Sequence, residues 1–419
     1  MGPFYRMAKV GIFAFVHIDL METAYIVDIL RTPIGKYGGT LASVRPDDLA
    51  AHVISALLRR NPSIDFNQVE DVIFGAANQS GEDNRNVARM ALLLAGLPMS
   101  VAGITVNRLC ASGLQAIMDA AKGIMTGNGV IFIAGGVETM SRAPFVMAKS
   151  EEAFSRKAEI FDTTMGWRFI NPALSKMYYP FSMGETAENV AEKWKISRAD
   201  QDAFGLSSQQ KYFKAETANK FKEERISIEI KKGKESIVFD RDEYPRETSL
   251  EKLGSLKPAF REGGSVTAGN SSGINDGAAA SLIVSESFVK QFNLKPKARV
   301  VSMAVAGVEP AYMGIGPVPA TQKALKRAGL KIYDIGLVEL NEAFASQSLA
   351  CVRDLGINPE IVNVNGGAIA LGHPLGCSGV RISATLIHEM QKRDVKYGLA
   401  TMCIGVGQGA AVIYEHAGK

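Results

Sequence analysis

The segment VAGITVNRLCASGLQAIMDAAKGIMT, residues 101–126, decides the fold class. Residues 101–107 are strand-like, and residues 111–126 carry the apolar spacing of a helix. The same alternation of short apolar runs with longer amphipathic ones surrounds this segment. Strands that alternate with helices indicate an α/β fold with layered, largely parallel strands. The other predicted strands are 24–30, 72–76 and 130–136, and the other predicted helices are 46–59 and 86–95.

The pattern is repeated later in the chain. The helix start at Leu109-Cys-Ala-Ser-Gly is matched by Gly376-Cys-Ser-Gly, and the run 277–286 is matched by 409–415. Two matched pairs in the same order predict two similar halves. We place the halves at residues 21–290 and 291–419, with an inserted, mostly helical lobe at about 146–266. Residues 1–20 are expected to be an extension outside the fold.

Composition excludes several classes of protein. The 419 residues are 47% hydrophobic and 21% charged with a formal net charge of +4, which is ordinary for a globular enzyme. We find no basic stripe for nucleic acid and no apolar run of about 18 residues for a membrane span. The four cysteines form no CxxC pair, so we expect neither a disulfide framework nor a metal site. Reduced thiols suggest a cytoplasmic protein.

Cys110 lies at the junction between the predicted strand and helix. There the helix dipole and the free N–H groups should stabilise a thiolate and lower its pKa, which would make the sulfur a nucleophile. The alternative is a buried cysteine that serves only in packing.

Three further segments carry chemistry. His373 lies between Gly372 and Pro374 in a glycine-rich loop, which favours a general base or an oxyanion donor over a packing role. Cys403 begins another glycine-rich turn and either transfers a proton or fills a tight turn. Asn341 is suited to hold a water molecule, and Glu342 to orient an imidazole. Either of these two residues could instead be a helix cap.

Together these segments resemble the thiolase family from about residue 23 to the end of the chain. The resemblance implies two similar five-layer α/β halves, with a loop domain inserted in the first half. It also implies acyl transfer to and from coenzyme A, which is a substrate here and not a permanent cofactor, and a homotetramer built from dimers. The matching motifs are Val106–Gly113, Ala134–Ser141, Thr267–Ala278, Asn341–Phe344, Gly366–Pro374 and Cys403–Gly409.

The resemblance implies a role for each site residue. Cys110 would form the acyl-enzyme, His373 would take its proton, and Cys403 would exchange a proton with the substrate α-carbon. One oxyanion hole would use His373 and a water held by Asn341, and the other the N–H groups of Cys110 and Gly405. The residues expected along the coenzyme A arm are Ser272, Ala268, Met183, Phe344 and, at the nucleotide end, Arg246.

Two departures concern the substrate. Thiolases that make acetoacetyl-CoA often have a histidine where Ser182 stands, whereas segments 81–91 and 166–172 resemble thiolases that cleave 3-oxoadipyl-CoA. Those enzymes usually have proline where Gly184 stands. Arg168 could pair with a distal carboxylate of the substrate or be a surface contact. The rival interpretations are a cysteine hydrolase, a decarboxylating condensing enzyme, and a thiolase-fold protein that binds acyl-CoA or lipid without turnover.

Overall fold

Strands and helices alternate along residues 22–418, the part of the chain that the computed structural model describes. The extension expected over residues 1–20 lies outside the described residues. The strands are β1 (Ala24–Arg31), β2 (Gly35–Lys36), β3 (Val69–Gly75), β4 (Ala102–Val106), β5 (Ile131–Thr139), β6 (Phe145–Met147), β7 (Ile160–Asp162), β8 (Ile228–Lys232), β9 (Glu235–Phe239), β10 (Asn275–Ser285), β11 (Ala298–Gly307), β12 (Leu337–Leu340), β13 (Tyr397–Ile404) and β14 (Gln408–His416). The helices are α1 (Pro46–Arg60), α2 (Val87–Leu94), α3 (Ser112–Met125), α4 (Pro172–Met177), α5 (Met183–Lys193), α6 (Arg198–Thr217), α7 (Leu250–Gly254), α8 (Glu286–Gln291), α9 (Pro317–Ala328), α10 (Ala345–Leu355), α11 (Ala368–Leu371) and α12 (Leu375–Arg393).

The helix starts follow from the residues that precede or open them. The side chain of Asn86 accepts a hydrogen bond from the N–H of Arg89 at the start of α2, and Ser197 caps α6 in the same way. Pro46 opens α1, where its missing N–H leaves no helical hydrogen bond unmade. The elements predicted between residues 24 and 136 are therefore confirmed to within a few residues.

The main sheet has the order β12-β13-β14-β11-β1-β10-β5-β3-β4, and β2 pairs with β10. In the first half β3 is parallel to β5, and β5, β10 and β1 then pair antiparallel. In the second half β12 is parallel to β13, and β13, β14 and β11 follow antiparallel. Apart from β4, which extends the first half and pairs parallel with β3, the strand order of the two halves is the same, as the predicted duplication requires. The sheet is mixed: within each half the long strands run in one direction except the last, β10 or β14, which runs opposite to its neighbours.

The two halves meet in the middle of the molecule. Strands β1 and β11 join the sheets edge to edge, with Tyr25 opposite Arg299. Helices α3 and α12 pack against each other between the two halves. Their glycines permit this contact, since a Cβ on Gly379 would lie 2.0 Å from the backbone nitrogen of Leu114. With α1 and α2 on one outer face and α9 and α10 on the other, the molecule has five layers.

The inserted lobe contains helices α4 to α7 and two hairpins, the exposed β6–β7 and the β8–β9 pair, which buries one side against the core. The helices agree with the predicted helical character, but the hairpins were missed. The β8–β9 hairpin had a signal in the sequence, because Gly233 separates two short alternating runs. In the structure this glycine has a φ of +66°. Within the described part of the chain, no helix is long and apolar enough to cross a membrane.

Candidate active site

Cys110 lies in a tight turn between β4 and α3. The preceding residue, Leu109, has a φ of +47°, which is a strained conformation for a residue with a side chain. The side chain of Asn107 accepts the N–H of Leu109 at 2.8 Å. The hydroxyl of Ser112 accepts the N–H of Arg108 at 2.9 Å and donates to the carbonyl of Leu109 at 2.6 Å. These bonds fix the turn and present a half-buried Cys110.

The resting thiol of Cys110 is neutral. Burial raises the pKa of this thiol to about 11, although the N–H groups of Gly405 and of Cys110 itself hydrogen-bond the sulfur and lower it. The expected lowering of the pKa by the helix start is thus wrong for the resting protein, because burial has the larger effect. A nearby base must therefore remove the proton when the sulfur reacts.

His373 is placed by a fixed backbone. Its N–H donates to the side chain of Asn275 at 3.0 Å, and the preceding Gly372 has a φ of +104°. The ring Nδ1 lies 2.6 Å from the hydroxyl of Ser378, and Nε2 lies 3.3 Å from the amide nitrogen of Asn341. Burial, with a contribution from Arg381, lowers the pKa of His373 to about 3. The imidazole is therefore neutral in the resting protein.

Asn341 and Glu342 point in different directions. The buried Oδ1 of Asn341 has no hydrogen-bond partner among the described residues, so it has room in its bonding for a water molecule. Glu342 does not contact the imidazole, so the first of the two roles considered for it is not found. Consecutive side chains of an extended segment point to opposite sides, and this carboxylate instead accepts from Ser208, Asn363 and the N–H of Ile369.

Cys403 is the next-to-last residue of β13 and belongs to a buried apolar cluster. Burial raises the pKa of the Cys403 thiol well above its usual value, and Cys110 is close enough to raise it further. A thiol that stays protonated is suited to donate a proton. The cluster includes two residues expected along the coenzyme A arm, Met183 and Phe344; its other members are Ala187, Val266, Met313 and Ala343.

The remaining residues expected to bind coenzyme A form two groups. Ser272 lies beside the Asn341–Phe344 motif, because its N–H and its hydroxyl both donate to the carbonyl of Ala343, at 3.0 and 3.1 Å. Arg246 and Ala268 are exposed and joined to each other, since the guanidinium donates to the Ala268 carbonyl at 2.6 Å. Arg246 is thus placed at the surface and bonded to Ala268, which precedes Ser272 by four residues in the sequence.

Several residues near the site were missed from the sequence. Ser378 contacts the ring of His373, and its signal is the Ser-Gly pair shared by the two matching helix starts. Glu138 accepts the N–H groups of Ala77, Asn78 and Gly376, and burial raises its pKa to about 7. Phe260 packs edge-on against Phe344 at 6.1 Å, and no sequence signal marks it.

The site can be compared with those of known proteins. A sequence profile for the thiolase N-terminal domain matches residues 24–287, and one for the thiolase C-terminal domain matches residues 294–416. The 3-oxoadipyl-CoA/3-oxo-5,6-dehydrosuberyl-CoA thiolase of Escherichia coli K12 is 57% identical over 400 residues, which are 94% of this chain and all of that protein. A beta-ketoadipyl-CoA thiolase of Pseudomonas putida is 55% identical over 398 residues, again 94% of this chain and all of the relative.

A solved structure agrees with these sequence matches. The crystal structure of human mitochondrial 3-ketoacyl-CoA thiolase in complex with CoA superposes with a TM-score of 0.88. The two chains are 41% identical, and the match covers 95% of this chain and 99% of the human one.

Proposed function

The chain belongs to the thiolase family of acyl-CoA C-acyltransferases, and we propose that it cleaves 3-oxoacyl-CoA reversibly with coenzyme A through an acyl-Cys110 intermediate. One observation carries this proposal. The Cys110 sulfur receives the N–H groups of Gly405 and Cys110, and Cys403 lies close enough to interact with it. The pair of N–H groups also forms an oxyanion hole for the thioester that the sulfur would carry.

The chemistry proceeds in two half-reactions. His373 takes the proton of Cys110, and the sulfur attacks the 3-oxo carbon. The bond between C2 and C3 breaks, the acyl group stays on the sulfur, and the electron pair leaves on the acetyl-CoA fragment as an enolate. Cys403 protonates that enolate at C2. Coenzyme A gives its thiol proton to the Cys403 thiolate and attacks the acyl-cysteine. The shortened acyl-CoA departs, and His373 returns its proton to the Cys110 sulfur.

His373 and Asn341 would also form an oxyanion hole in the first half-reaction. The resting Nε2 carries no charge, and once protonated it donates a hydrogen bond toward an oxyanion. The free Oδ1 of Asn341 would hold a water molecule whose proton points at the same oxygen. Each donor of this kind contributes on the order of 3–4 kcal/mol to the stability of the transition state.

Transfer of labelled acetyl from acetyl-CoA tests the proposal. Cys110→Ala should take up no label, whereas Cys403→Ser should be labelled but lose exchange of the α-proton. Cys351→Ser is the matched control, because this buried thiol donates to the carbonyl of Gly314 and a hydroxyl can do the same. Labelling of Cys110→Ala at the wild-type rate would rule out this nucleophile.

We propose 3-oxoadipyl-CoA, or a related 3-oxo dicarboxylic thioester, as the substrate. The E. coli and P. putida relatives are named for such activities. The indole N–H of Trp167 donates to the carbonyl of Phe181 at 2.9 Å, which ties the neighbouring Arg168 to the start of α5, where Met183 lies. Arg168 is half-buried and has no ion-pair partner among residues 22–418, so it is free to bind a distal carboxylate.

Substitution of Arg168 tests this substrate. Arg168→Ala should raise the KM for 3-oxoadipyl-CoA about 10-fold or more, because a charge-assisted hydrogen bond contributes about 1.5–3 kcal/mol. The KM for acetoacetyl-CoA, which has no distal carboxylate, should stay within about two-fold. Lys176→Ala, on the neighbouring helix α4, is the control for a general loss of positive charge. Equal effects on both substrates would refute the pairing.

We also propose that the chain forms a homotetramer in the cytoplasm. Apolar side chains are exposed on two separate surfaces, one at the edge strand β4 and one on the hairpin β6–β7 with helix α4. Exposed apolar patches of this kind mark protein–protein contacts. The four cysteines are free thiols, which suits a reducing compartment.

A further inference from the structure

Ser378 makes two short contacts with its hydroxyl. Its Oγ lies 2.6 Å from Nδ1 of His373 and 2.8 Å from the carbonyl oxygen of Pro374, one helical turn earlier. The three groups are buried. Bulk water therefore cannot replace either partner of the hydroxyl. The three groups must satisfy their hydrogen bonds with one another.

Only one distribution of protons makes both contacts hydrogen bonds. A serine hydroxyl carries one proton, and the carbonyl oxygen of Pro374 can only accept. If the hydroxyl donated to Nδ1, two oxygen lone pairs would face each other at 2.8 Å. If the hydroxyl donates to the carbonyl, its lone pair accepts from Nδ1–H, and both contacts are satisfied.

We propose that Ser378 is a positioning residue that holds His373 in the Nδ1–H tautomer and so leaves the lone pair on Nε2. This inference rests on the proposed function, in which Nε2 takes the proton of Cys110. The other partner is consistent with it, because the amide nitrogen of Asn341 lies 3.3 Å from Nε2 and is a donor. When the ring becomes protonated, Nδ1–H keeps the same acceptor, so the serine need not rearrange during the reaction.

The first half of the molecule contains the same arrangement. Ser112 is the first residue of α3 and Ser378 the fourth residue of α12, and each follows the cysteine of its matching segment closely and precedes a glycine. The Ser112 hydroxyl donates back to the carbonyl of Leu109 and accepts from the N–H of Arg108. In both halves the serine hydroxyl therefore donates to a backbone carbonyl and accepts a hydrogen bond from a residue four or five positions earlier in the chain.

Nitrogen NMR of the resting protein labelled with ¹⁵N-histidine tests the tautomer directly. The chain has five histidines, so the His373 signals are those missing from His373→Asn. We expect Nδ1 to be protonated and Nε2 unprotonated at pH 7. A dominant Nε2–H form would overturn the proposal. This measurement needs no turnover, so it fails or succeeds independently of the proposed thiolase activity.

Kinetics separate positioning from a structural role. Ser378→Ala should gain an Nε2–H population and lose at least about 10-fold in the acylation rate at saturating acetyl-CoA, since a catalytic histidine in the wrong tautomer loses far more in known cases. Ser383→Ala is the matched control, because it lies on the same helix and its hydroxyl also donates one turn back, to Gly379 at 2.8 Å. Equal losses in the two variants, or wild-type acylation and tautomer in Ser378→Ala, would overturn the proposal. If Ser378→Ala does not fold, the wild-type tautomer decides alone.

Discussion

At the scale of single residues, two opposed effects act on the Cys110 sulfur. Burial favours the neutral thiol, and the N–H groups of Cys110 and Gly405 favour the thiolate. Burial has the larger effect, while the N–H groups become useful when charge develops during the reaction. The two N–H groups are therefore in place to stabilise a charge that develops in the transition state, while the Cys110 thiol stays neutral at rest.

This balance predicts the pH dependence of alkylation. The second-order rate of Cys110 alkylation by iodoacetamide, followed by peptide mass spectrometry, should keep rising through pH 9 without a plateau, because the pKa of this thiol is raised to about 11. The buried Cys351, Cys377 and Cys403 should react far more slowly. A plateau near pH 7 would instead indicate a resting thiolate paired with a protonated His373.

The sequence was sufficient to single out the proposed reacting residues but not all of their partners. Cys110 and His373 stand out because a thiol at a helix start and a histidine between glycine and proline are unusual surroundings. Glu342 was misassigned, since the direction of a side chain after a strand depends on register, which the short run Asn341-Glu342 does not reveal. The role of Ser378 depends on a contact with a ring five residues earlier across an irregular turn, and no periodicity encodes it.

At the scale of elements, the contact between α3 and α12 depends on absent side chains. The sequence predicted both helices. Their contact depends on the faces that carry glycine, and the apolar spacing of the two helices did not indicate that these faces meet. A Cβ on Gly379 would lie within 2.7 Å of three atoms of Leu114, two of them backbone, so neither helix could relax by changing a rotamer.

Gly379→Ala should therefore lower the free energy of unfolding by about 3 kcal/mol or prevent folding, as overpacked core substitutions do. Thermal or urea unfolding measures this. Gly254→Ala, at the end of α7, is the control, because a Cβ there meets nothing within 4 Å. It should be neutral or slightly stabilising. Equal stability of the two variants would contradict the tight contact.

At the scale of the whole molecule, the exposed apolar surfaces predict assembly. Met147 is 60% exposed and Ile160 is 65% exposed, and they face each other across the β6–β7 pairing. Burying such side chains in an interface gains about 25 cal/mol per Å². The double substitution Met147→Glu and Ile160→Glu should lower the molar mass measured by light scattering and leave the secondary structure unchanged.

A charge at an unrelated exposed position provides the control. Tyr333 is 81% exposed and lies in the second half, away from the hairpin in sequence, so Tyr333→Glu should leave the molar mass unaltered. An unchanged mass in the hairpin variant would place the subunit contacts elsewhere, for example on the edge strand β4.

The place of α3 and α12 in the central layer has a consequence for control of the enzyme. The turn that carries Cys110 and the loop that carries His373 are attached to the part of the molecule whose amides should exchange with deuterium only upon global unfolding. We therefore expect no partial opening to separate the Cys110 turn from the His373 loop while the rest of the chain stays folded. Under the proposed function, we expect modulation of turnover to act on the inserted lobe, where Met183 packs against the buried cluster, and not on the relative position of the Cys110 thiol and the His373 ring.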